Sequence, residues 1–198
     1  RPRAWIILTA NASHLIRFGS SAMISLVLLV SLSAMADPIV LSSAHQGWST
    51  GFDAPELHHK EVSSSELLYR FSGSTGDGVF LSLHVSPLTR RGATKTECRT
   101  HYQPITDKIL MIDRQSIKIE ALASLETMSY NAKIEYKNKV YNMPNTHFYF
   151  MLNGHCADLH VAASPLYKHF DQTVLKIKTS LAQPLMNSNL LLSKNTPH

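Results

Sequence analysis

Two imidazoles and a carboxylate lie close together around one turn: His147, Asp158 and His160, with Tyr149 beside them. Neutral imidazole nitrogens and a carboxylate oxygen are ligands for zinc, and the same groups can pass protons. Whether they meet depends on the Asn153-Gly154 pair between them. Asn-Gly accepts the positive φ angles of a type I′ turn, which joins two strands through a two-residue loop. Counting outward pairs Leu152 with His155, Met151 with Cys156, Phe150 with Ala157, Tyr149 with Asp158, Phe148 with Leu159, and His147 with His160. Opposed residues bring their β-carbons to about 5 Å. One face of the hairpin then carries Phe148, Phe150, Leu152, Ala157, Leu159 and Val161, a core face. The other carries His147, Tyr149, Met151, Cys156, Asp158 and His160. Two readings compete for that second face: an open metal or acid–base site, or a covered and hydrogen-bonded polar row. Two His and one Asp lack the closed ligand spacing of a structural zinc motif, and the chain has eleven histidines to make such pairings by chance.

Other motifs carry less. Gly47-Trp48-Ser49-Thr50-Gly51 fits G-x-S-x-G, but a nucleophile elbow follows several strands and opens a helix. Here little chain precedes it and Asp53-Ala54-Pro55 follows, so a first strand with a turn is expected. Gly73, Gly76 and Gly78 lie between two strand-like runs, which suits a hairpin rather than a phosphate loop. His58-His59 is expected on the surface. Cys98 and Cys156 are the two cysteines. In an exported chain an even count favours a disulfide, and neither belongs to a C-x-x-C redox motif.

Export is read from residues 1–36. They hold Arg1, Arg3 and Arg17, no acid, the apolar run Ala22 to Leu32, and Ala34-Met35-Ala36, an A-x-A processing site. The run is too short to span a bilayer, which takes roughly 20 apolar residues. Cleavage would start the mature chain at Asp37, in the periplasm or outside the cell, with no stable membrane span left. Three of the 19 Lys and Arg residues lie in that leader and all 14 acids follow it, so the net charge of +5 falls to +2. That balance is too small to argue for nucleic acid or an anionic membrane as a partner.

The elements that would position the cluster follow from periodicity. Val79, Leu81, Leu83 and Val85 alternate with Phe80, Ser82, His84 and Ser86, a half-buried strand. Glu66 to Gly73 precedes it as a strand, joined through Ser74 to Asp77. Ser116 to Leu122 is a further strand. Met128, Tyr130, Ala132, Ile134 and Tyr136 alternate along another. Helices are expected from Ala93 to Gln103, closed by Pro104, and from Tyr167 to Ala182, where Phe170, Val174, Ile177 and Leu181 form one stripe. The first should lie over the second hairpin face and bring Cys98 to Cys156. The predicted class is α+β: an antiparallel sheet of about six to seven strands covered by two helices, one domain over residues 37–183, with a flexible tail over 184–198.

This order of hairpin, helix, antiparallel strands and closing helix resembles the PsbP-like fold family of small exported accessory domains, over Gly47 to Ala182. The hairpin at Ser74 to Asp77, the Asn153-Gly154 hairpin ending Asp158-Leu159-His160-Val161, and the last helix carry the likeness. It implies a non-enzymatic binding or assembly role more often than catalysis. The leading expectation is an exported α+β domain, with no cofactor, that binds an unidentified protein or small ligand. The rivals are a small metal-dependent or acid–base enzyme using His147, Asp158 and His160, and an envelope or effector-inhibitor protein.

Overall fold

A computed structural model describes residues 38–88, 93–106 and 111–182. The expected leader and the expected tail lie outside the described residues. The chain opens with a two-stranded antiparallel hairpin, β1 (Ile39–Ser43) and β2 (Trp48–Phe52). Seven strands then build one antiparallel sheet: β3 (His58–Ser64), β4 (Tyr69–Ser74), β5 (Val79–Pro87), β6 (Lys118–Ala121), β7 (Leu125–Tyr136), β8 (Lys139–Leu152) and β9 (His155–Ala163). Their order across the sheet is β3-β4-β5-β9-β8-β7-β6. Helices α1 (Lys95–Thr106) and α2 (Phe170–Ala182) complete an α+β domain.

The first face of the sheet is apolar. Val79, Leu81, Leu83 and Val85 of β5, Phe148 of β8, and Ala157, Leu159 and Val161 of β9 are buried there. Leu41, Trp48, Phe52 and Leu57 from the N-terminal segment and Ile177 of α2 close over them. Strict alternation along each strand brings these side chains to one side. Leu152, at the hairpin's end, is only half-buried against this core.

Register around Asn153-Gly154 runs from Leu152↔His155 to His147↔His160, as counted from the turn. Asn153 and Gly154 have φ of 45° and 81°, the left-handed pair a type I′ turn needs. Gly78 has φ +100°, and a Cβ there would stand 2.7 Å from the Ser164 side chain, so the β4–β5 loop needs glycine at that point. Several boundaries differ from the periodicity. β4 begins at Tyr69, not Glu66, because Ser65 and Leu68 are held in a turn. Helix α1 runs through Pro104 to Thr106. Proline removes one backbone donor, and Pro104 stands in the last turn of the helix. A second turn, Lys137-Asn138, closes β7 onto β8 with both φ angles positive.

Candidate functional site

The second face of the sheet carries the polar residues in two rows. Asp158 of β9 stands between Tyr149 of β8 and His84 of β5. His160 stands between His147 and Ser82. The expected cluster is therefore brought together, and β5 adds His84 to it.

The two opposed histidines do not point at a common centre. Their rings stack at 4.2 Å with 9° between planes. Each makes its own hydrogen bonds. His147 Nδ1 lies 2.8 and 3.1 Å from the two Asp158 oxygens, and its Nε2 lies 3.2 Å from the Tyr130 hydroxyl. His160 Nε2 lies 2.9 Å from Asn145 Oδ1. Asn145 spends its amide donor on the Met143 carbonyl, so its oxygen must face the ring and His160 Nε2–H donates. Tyr149 stacks on His147 at 5.7 Å and Tyr130 at 5.8 Å. The side chains of His147 and Asp158 are only 7% and 10% exposed.

Helix α1 packs on this face, against Tyr130 and Tyr149. Thr94 accepts from the Glu97 amide at 3.2 Å and the Glu97 carboxylate accepts from the Thr94 amide at 2.8 Å, a capping box that sets where the helix starts. Cys98, one turn in, is bonded to Cys156 of β9 with their α-carbons 5.1 Å apart. Tyr102, one turn further, is buried against the sheet. Its hydroxyl sits 3.1 Å from the Cys156 carbonyl and 2.9 Å from Ser86 Oγ. Thr96 and Arg99 donate to Glu126 of β7. Cys98, Tyr102, Met128, Tyr130, Ala132, Tyr149 and Cys156 form a small second core.

Burial shapes the proton affinities. It lowers His160 well below the usual imidazole range, and the nearby His147 and His84 rings push it the same way. His84 is also lowered, by burial first, with Asp158 opposing and Arg70 and His147 assisting. Burial pushes Tyr102 and Tyr130 up to about 12, with Asp158 adding to both. For Glu126 burial works against ionisation, but hydrogen bonds from Thr96 and Arg99 and the charges of Arg99 and Lys95 outweigh it and lower the carboxyl.

Chemically, His147 is engaged at both ring nitrogens and His160 at its donor nitrogen. Among the described residues, no group of three or more His, Cys, Asp or Glu side chains is placed to hold a metal ion. The remaining motifs are dispersed. Ser49 is exposed on β2, which pairs with β1 and leads into no helix. Gly73 ends in a strand and Gly76 and Gly78 in its hairpin loop. His58 and His59 are exposed on edge strand β3. Sequence reasoning missed His84, Tyr130 and Tyr102 as members of the cluster. Alternation already placed His84 and Tyr130 on polar or mixed faces, but only the β5–β9 and β7–β8 pairings bring them to Asp158 and His147.

No family model matches the sequence, and no curated protein matches it. Among solved structures, the chain is similar to LpqN of Mycobacterium tuberculosis, a protein involved in cell envelope biogenesis. Identity is 9% and the TM-score 0.39, over 77% of this chain and 85% of that one. Likeness at that level carries no inference about this chain.

Proposed function

We propose that the chain is an exported, non-enzymatic accessory domain of the PsbP-like kind, acting in the periplasm or outside the cell on a protein or small ligand. The burial of His147 and Asp158 within the fold carries this reading. A catalytic or metal centre needs a coordination position or proton that substrate can reach. Here the best acid–base constellation is buried on the sheet face to which α1 is bonded, and serves as an internal strut. The Cys98–Cys156 bond fits an oxidising compartment, as the basic and apolar leader does.

Purified protein from an exporting host tests both halves. N-terminal sequencing should begin at Asp37. Zinc, manganese and nickel should leave the melting temperature unchanged, since a ligand that binds only the native state must raise it. A zinc-dependent rise abolished by His160→Ala would replace this reading with a metal-dependent enzyme. A full-length, membrane-retained product would remove the exported mature domain.

A further inference from the structure

Strands β7 and β8 outrun the rest of the sheet. The last β8–β9 pair is Asn145↔Ala162, and the outermost β6–β7 pair is Lys118↔Ser129. Beyond these, β7 and β8 continue against each other as far as Tyr136↔Lys139. Residues 111–113 support the base of this extension, through Asp113 N to Asn131 O at 2.8 Å and Lys133 N to Met111 O at 2.7 Å. From Ile134↔Tyr141 outward, no further strand flanks the ribbon among the described residues. Its three residue pairs project about 10 Å at the usual strand rise.

The projecting end is amphipathic in an unusual way. Tyr136 is 60% and Val140 67% exposed, and they lie on opposite faces of the ribbon. Ile134 and Tyr141 pair on the Tyr136 face and are half-buried. Lys139 opposes Tyr136, and the Lys137 ammonium lies 5.2 Å from the Tyr136 ring centroid. Lys133 is engaged with Asp113 at 3.1 Å. The tip itself therefore presents Lys137 and Lys139 against the single acid Glu135.

We propose that this β7–β8 tip docks end-on into an anionic phospholipid surface. A protein groove would be matched by one apolar face. Here apolar groups stand on both faces of a convex end, with cations set just beside them. A bilayer interface takes that shape: tyrosine rings settle at headgroup depth, and lysines meet the phosphates. Two lysines and two well-exposed apolar side chains give weak, reversible attachment. The inference stands on the tip alone and is independent of the strut described under α1.

Co-sedimentation with phosphatidylglycerol-containing vesicles, against pure phosphatidylcholine vesicles, tests it. Wild type and variants are purified in the same form, so any contribution of residues 1–36 cancels in the ratio. Wild type should favour the anionic vesicles. Lys137→Gln and Lys139→Gln should each weaken binding about fivefold, the loss that corresponds to one juxtamembrane cation. Tyr136→Ser with Val140→Ser should abolish the remainder at an unchanged melting temperature. A Tyr136→Trp reporter should shift its emission to the blue on adding anionic vesicles. Equal binding to both vesicle types, or binding that survives the Tyr136/Val140 change, would overturn the proposal. So would an unshifted reporter in protein that still sediments, or a tip that cross-links to one envelope protein while lipid-only vesicles fail to bind it.

Discussion

On one face of the sheet, Val79, Leu81, Leu83, Val85, Phe148, Leu159 and Val161 meet β1, β2 and α2 through apolar contact alone. On the other, the same strands carry His84, His147, Tyr149, Asp158 and His160 toward α1. The first face needs no particular partner for any one side chain, because burial of apolar area is non-directional. The second works only if each donor meets its acceptor, because a buried polar group without one destabilises the fold. It also has less apolar area with which to hold its cover. Covalent attachment of α1 at Cys98 and the Glu126 contacts at Thr96 and Arg99 supply what packing does not. Two faces of one sheet thus use different means of cohesion, and they should fail differently.

The largest effect belongs to the apolar face. Phe148 is fully buried, and Phe148→Ala should cost about 3–5 kcal/mol in chemical denaturation, from lost transfer energy plus the cavity left behind. Hydrogen exchange should then rise throughout β5, β8 and β9, since all three pack around that ring. A loss below 1 kcal/mol would mean that the two faces do not differ as described.

Removing the disulfide comes next. The bond spans 58 positions, and Cys98→Ala with Cys156→Ala should cost about 2–4 kcal/mol. The pattern of damage sharpens the contrast. Amides of α1 should lose protection first, while those of β5 keep theirs until global unfolding. Equal loss in both regions would show that α1 is held by packing and that the covalent link is incidental.

His160→Ala tests the polar row itself. It leaves Asn145 Oδ1 without its donor and removes the ring stacked on His147. A destabilisation of about 1–3 kcal/mol is expected. His160→Gln, which can still donate to Asn145, should recover part of it. If neither variant moves the unfolding midpoint, the row is a solvated surface and the strut reading fails.

How much of this was legible in the sequence follows the same division. Periodicity of two needs only residue type, so the apolar face and the Asn153-Gly154 register could be read directly. Cys98 could be placed over Cys156 because both the helix and the hairpin face were local patterns. The Lys137-Asn138 turn was hidden, since lysine is not a residue whose type announces a positive φ. Pro104 misled for the converse reason: it disfavours a helix interior without forbidding one. His84 escaped because β5 reaches β9 across a long stretch of chain, and no local rule states which strands become neighbours. The stacking of His147 on His160 was equally out of reach. Opposition across a hairpin sets the β-carbon distance, while the direction of each ring is set by Asp158, Tyr130 and Asn145.

The smallest effect, taken per unit of pH, is acid sensitivity confined to the polar face. His160 is faced by His147 on β8, His84 on β5 and Asp158 on its own strand; Arg70 on β4 and the Tyr102 hydroxyl from α1 lie on the His84 side. Both His160 and His84 bind protons less readily in the folded chain than in the unfolded one. The unfolded state therefore holds more protons once pH drops through the ordinary imidazole value near 6.5, and stability must fall as pH falls. Above 6.5 their contribution is constant. Each group can add at most about 1.4 kcal/mol per pH unit, and partial solvent exposure of both rings reduces that ceiling. Glu126, whose folded value is lowered, adds its own loss only below about 4.5, so its onset lies below that of the histidines. Urea unfolding at intervals from pH 7.5 to 4 should show a flat region, a decline below 6.5 and a steeper one below 4.5. His160→Gln should flatten the middle segment and leave the added break below 4.5 in place. Phe148→Ala should lower the whole curve without changing its shape, because nothing on the apolar face titrates in that range. A wild-type curve that stays level between 6.5 and 5 would break the comparison at its polar half.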